Sequence, residues 1–131
     1  MPRRRRRVPV EFQDKSHIRL YPELLRSPAW ISLRPHARAL LIAIWERNDG
    51  SNNGEIGYGV RAAREALHCR PDTVKQAFVD LQEKGFIVMT RGAKFNGKDI
   101  RLARIWRLTT EACGDHHATM DFLRWRPRTS E

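Results

Sequence analysis

A chain of 131 residues, 40% of them hydrophobic, has the material for one domain with a single core, and its formal net charge of +10 makes polyanions its natural partners. No apolar run approaches the roughly 18 residues of a membrane span, and the arginines near the N-terminus are not followed by the apolar stretch of a secretion signal; no membrane partner is expected, and the cytoplasm is the expected compartment. Cys69 and Cys113 are too few for a disulfide framework or a four-cysteine zinc site, so both are expected as free thiols.

Residues 1–16 open with Arg3, Arg4, Arg5, Arg6 and Arg7, whose mutual repulsion among few apolar neighbours predicts a disordered basic arm. Residues 17–110 then carry the pattern of a folded domain. Ile18 and Leu20 alternate as in a short strand, and Pro22 opens one or two helical turns ahead of Leu24 and Leu25. Trp30 and Leu33 are apolar anchors for the next helix. In that helix Ala37, Leu40, Leu41, Ile44 and Trp45 fall on one face, with Pro35 in the first turn. The run from Asn48 to Gly54 is rich in Asn, Asp, Ser and Gly and predicts a loop.

A short strand is expected within Glu55 to Tyr58, then a second helix carrying Val60, Ala63 and Leu67 at helical spacing. His68, Cys69 and Arg70 make a tight link to a third helix that starts at Pro71, buries Val74, Ala77, Phe78 and Leu81, and stops at Gly85. The period then changes. Phe86 to Thr90 is β-branched and aromatic, Arg91 to Lys98 holds two glycines, and Leu102, Trp106 and Leu108 alternate, which together predict a β-hairpin with a long basic loop. Residues 111–131 form a weakly patterned extension in which Phe122 and Trp125 can dock a short helical turn.

The charge is concentrated in two islands. Residues 1–10 carry +5 and residues 86–110 carry +5, while residues 32–85, which hold all three helices, carry only +1. Two basic islands flanking a near-neutral body suit an extended anion such as nucleic acid.

The order helix, short helix, tight link, helix, glycine and two strands with a basic loop resembles the winged helix-turn-helix superfamily over residues 34–109. The resemblance rests on Leu67, Thr73, Val74, Ala77, Phe78, Leu81, Gly85, Phe86 and Ile87, which match a turn and recognition-helix signature. A looser likeness, to bacterial and bacteriophage helix-turn-helix proteins, rests on Ser27 to Trp30 with Leu33, Asn52 to Gly54, and Trp106 to Thr109. It implies a regulator or replication factor of a mobile element. The implied fold is mainly α with a small antiparallel β-sheet. One departure is that Arg34 and Arg70 stand before Pro35 and Pro71, where such families usually have a serine or threonine cap; each missing cap costs about 1 kcal/mol unless compensated.

On this reading the third helix enters a major groove by its N-terminal half, so Asp72, Thr73, Lys75 and Gln76 are the candidates to reach double-stranded DNA. Gln76 suits paired hydrogen bonds to adenine, Asp72 can accept from a cytosine amino group, Lys75 suits a phosphate, and Arg70 can take another. Asp80 and Glu83 lie further along as an acidic face. The hairpin loop adds Arg91, Lys94 and Lys98, with Arg101 and Arg104 behind them, and the arginine arm suits a narrow minor groove.

Plainer readings stand beside these. The arginine run can be a non-specific anchor, and the third helix can be ordinary solvent surface. Cys113, His116 and His117, with Asp115 and Asp121 nearby, offer too few ligands at metal spacing for a metal or other cofactor to be expected. Trp30, Trp45 and Trp106 fall on predicted buried faces and suit a core better than base stacking. No nucleophile elbow, phosphate-binding glycine loop or paired-carboxylate pattern appears, so no enzyme is expected. The favoured function is transcriptional regulation. The alternatives are a replication or partition factor of a phage or plasmid, and a winged-helix protein-interaction module. Regulators of this type often act as homodimers on two half-sites, and residues 115–126 are the one segment that can supply a dimer helix.

Overall fold

The computed structural model describes residues 17–91 and 104–128. The arm with Arg3 to Arg7 and the loop residues Lys94, Lys98, Arg101 and Leu102 lie outside the described residues.

Proline sets the start of four helices: α1 (Pro22–Leu25), α2 (Pro28–Ser32), α3 (Pro35–Glu46) and α5 (Pro71–Glu83). Its fixed φ suits the first helical position, and its ring forces the preceding residue into an extended conformation. Tyr21, Ser27, Arg34 and Arg70 accordingly have ψ of 140°, 143°, 152° and 154°. Among these four, only Ser27 caps with its side chain, accepting from the Trp30 amide at 3.3 Å.

The fold is mainly helical, with a small antiparallel sheet. Ala37, Leu40, Leu41, Ile44 and Trp45 of α3 are all buried, and this face packs on α5 and on α4 (Val60–Leu67). The helix α4 ends at His68, whose left-handed φ of 54° turns the chain within three residues into α5. There Val74, Ala77, Phe78 and Leu81 are buried, as their spacing predicts. Past α5, Gly85 has φ +81°, and a Cβ there would lie 2.9 Å from the Asp121 carbonyl carbon and the Phe122 nitrogen. Glycine is required at this position both by the backbone angle and by the approach of the C-terminal segment.

Among the described residues, three strands take the order β1 (Ile56–Gly57), β3 (Ile105–Leu108), β2 (Ile87–Arg91), with both pairings antiparallel. Trp106 sits opposite Ile56 on one side and Met89 on the other, and a register shift falls between Met89 and Arg91. Trp106 and Leu108 alternate into the core. Ile18 and Leu20 form no strand: residues 17–21 have no regular structure, and the two side chains are 40% and 44% exposed. Two alternating residues without a ladder partner do not hold an extended strand. In the segment 115–126 the helical structure is a single 3-10 turn, Asp121–Arg124, and its Phe122 is buried against Phe86 with ring centroids 5.0 Å apart. It presents no dimer helix. Among the described residues, no helix is long and apolar enough to cross a membrane.

The loop between α3 and β1 is tied to the far end of the chain by Asn53. Its amide nitrogen donates to the carbonyls of Leu108, Glu111 and Ala112 at 3.0, 3.0 and 3.1 Å, and its oxygen accepts from the Leu108 amide at 2.7 Å. Asn53→Ala would strand the buried amide and carbonyl of Leu108 and should destabilise the fold by about 2–4 kcal/mol in urea unfolding, since each orphaned group costs about 1–3 kcal/mol. In the same loop Asp49 accepts from the Ser51 amide and hydroxyl, both at 2.8 Å, and from the Asn52 amide at 3.0 Å. These bonds, the Ser51 amide first, hold its carboxyl below the ordinary aspartate range. A depressed folded-state value means the stabilisation is present above the unfolded value, near 3.9, and is lost as pH falls through the folded value. Asp49→Asn should remove that portion of the acid dependence, read as a smaller fall in melting temperature below about pH 4 than in the unaltered chain.

Candidate nucleic-acid interface

The outer face of α5 is set by the inner one. With Val74, Ala77, Phe78 and Leu81 directed into the core, the helical period leaves Asp72, Lys75, Gln76, Val79 and Glu83 exposed and Thr73 half-buried. Arg70 is exposed where the chain enters the helix, and its carbonyl accepts from the Val74 amide at 3.1 Å. Arg91 is exposed at the end of β2, just past the register shift. Lys94, Lys98, Arg101 and Arg3 to Arg7 lie outside the described residues.

Asp80 departs from the sequence-based expectation. Instead of joining Glu83 in an exposed acidic face, it is 5% exposed, and each of its oxygens has a partner. Oδ1 accepts from the Gln76 amide nitrogen at 2.9 Å, and Oδ2 lies 3.7 Å from Nε of Arg34. Burying a carboxylate carries a desolvation cost that requires such partners. The i,i+4 spacing of Gln76 and Asp80 is readable in the sequence. The approach of Arg34, from the start of α3, is not, and sequence reasoning misses Arg34 for that reason.

Between the N-termini of α3 and α5 lies an open groove of about 390 Å³, lined by Arg34, His36, Asp72, Thr73, Gln76 and Asp80. It joins the stretch of α5 from Asp72 to Asp80 to Arg34 and His36 at the start of α3. Its lining brings one arginine, Arg34, together with two carboxylates, Asp72 and Asp80, so the groove itself carries no excess of positive charge. A larger groove of about 520 Å³, lined by Tyr21, Leu24, Trp45, Met120, Phe122 and Leu123 among others, lies between α1, the end of α3 and the C-terminal segment and takes no lining residue from α5.

Arg104, just before β3, is half-buried, with its guanidinium carbon 5.7 Å from the centre of the Phe78 ring of α5. Trp30, Trp45 and Trp106 are buried and offer no stacking platform. The Cys113 thiol donates to the Asn53 carbonyl at 3.0 Å, and His116 pairs with Cys113 through the backbone, so this cluster shapes a turn. No group of three metal-binding side chains occurs among the described residues.

No protein-family model matches the chain, and neither a curated protein nor a solved structure matches it.

If the outer face of α5 is free for a partner, removing its cation should not disturb the fold. Lys75→Ala should shift unfolding stability by no more than about 0.5 kcal/mol, the usual bound for an exposed position; a larger loss in urea unfolding would make Lys75 a structural residue.

Proposed function

We propose that this chain is a double-stranded DNA-binding protein of the winged helix-turn-helix type, serving as a sequence-specific transcriptional regulator rather than an enzyme. The observation that carries the reading is the exposed polar first half of α5, entered by a three-residue turn from α4, with the β2–β3 hairpin after it. The strand order β1–β3–β2 suits a wing between β2 and β3, and the basic residues of that connection are Arg91, Lys94, Lys98 and Arg101.

Roles divide by chemistry. Gln76 and Asp72 read base edges, Thr73 and Lys75 meet nearby edges or phosphates, and Arg70 takes a phosphate at the helix entrance. The wing and Arg3 to Arg7 supply affinity through phosphate neutralisation and counterion release. A protein-interaction role would call for an exposed acidic face at Asp80 and Glu83; with Asp80 buried, that face reduces to Glu83.

The test is binding to duplex DNA across a salt titration. The intact chain should bind with an affinity that falls steeply with salt, and removal of residues 1–7 should reduce the log–log slope by roughly 4 to 5. Lys75→Ala with Gln76→Ala should lower affinity and erase sequence preference. Binding that depends on the arm alone would reduce α5 to scaffold, and absence of binding at moderate salt would overturn the proposal.

A further inference from the structure

We infer that Asp80 is a positioning residue that holds Gln76 ready for a base edge before any DNA arrives; this rests on the DNA-binding reading above. A carboxylate accepts hydrogen bonds and does not donate them, so the Gln76 atom 2.9 Å from Asp80 Oδ1 is the amide nitrogen. That fixes which way the amide lies. One N–H is committed to Asp80, and the second N–H and the carbonyl oxygen remain for a partner. A donor and an acceptor side by side are what adenine N7 and N6 require in the major groove.

The carboxylate is itself held. Oδ2 faces Arg34 at 3.7 Å, and the burial of Asp80 at 5% exposure restricts its movement. Gln76, by contrast, is exposed and on its own would sample several rotamers. Ordering it in the free protein lowers the entropy lost on binding, so selectivity at that base pair depends on a residue that need not touch DNA. Arg34 is 66% exposed beside the same groove, which also places a cation next to the reading residue.

Asp80→Ala and Asp80→Asn remove the same charge, but only Asn keeps an oxygen that can accept from Gln76. The experiment compares them with Gln76→Ala in the full chain, selecting sites from a random duplex pool and measuring affinity for single-base variants of the selected site. Gln76→Ala should lose a roughly 5- to 100-fold preference at one base pair. Asp80→Ala should lose most of the same preference at the same base pair, and Asp80→Asn should retain it. In the free protein, the side-chain amide resonances of Gln76 should report restricted motion in the intact chain and in Asp80→Asn, and free motion in Asp80→Ala.

Retention of the preference by both Asp80 variants would overturn the positioning role and leave DNA binding standing. Loss in both would assign the effect to charge rather than to the hydrogen bond, which also overturns it. A Gln76→Ala variant with unchanged preference would leave nothing to position. Failure of the intact chain to bind duplex DNA in the salt titration would remove the underlying reading instead. Should Asp80→Ala not fold, mobile Gln76 amide resonances in the intact chain would by themselves overturn the inference.

Discussion

The stack of Phe78 on Trp106 is the contact through which helices and sheet become one body. Both side chains are fully buried, their ring centroids lie 5.3 Å apart, and their planes differ by 13°. Trp106 Nε1 donates to the Tyr58 carbonyl at 2.8 Å, which ties the same ring to the segment just before α4. Large buried aromatics of this kind contribute both area and geometry. Because Phe78 sits midway along α5, the stack fixes the rotation of that helix about its axis. Which residues face outward on α5 is a consequence of that rotation.

A helix used in this way has to meet two demands at once. Its inner side must fill the core beneath α3 and the sheet, and its outer side must stay polar. Gly85 ends the helix beyond both tasks, since its φ of +81° turns the chain into β2 and leaves room for the Asp121–Phe122 backbone. Phe122 then closes the core against Phe86, while Lys84 donates to the Ser32 carbonyl at 2.9 Å and lies over the Trp125 ring. The C-terminal end of α5 is thus bound on several sides. Its N-terminal end borders an open groove.

Features set by local period are legible in the sequence. The five buried positions of α3 and the four apolar positions of α5 arise from 3.6-residue spacing, and the turn at His68 from two helices separated by three residues. Features set by distant partners are not. Asn53 reads as a loop residue, and its role depends on carbonyls 55 to 59 residues away. Asp80 reads as surface because alternation on a helix cannot anticipate Arg34 arriving from α3. Ile18 and Leu20 fail in the opposite sense: their alternation is real, but among the described residues no neighbouring strand rewards it.

The uncapped starts of α3 and α5 connect these observations. Each helix begins after an arginine in extended conformation with no side-chain hydrogen bond to the first turn. Serine at position 34 would be the better local choice, with a benefit of about 1 kcal/mol. It would also remove the partner of Asp80 Oδ2 and leave a buried carboxylate with one contact fewer. Proline at the first position softens the conflict by removing one of the donors a cap would satisfy. The local capping rule is thus broken in favour of a tertiary contact, at the groove where exposed polar residues of α5 gather.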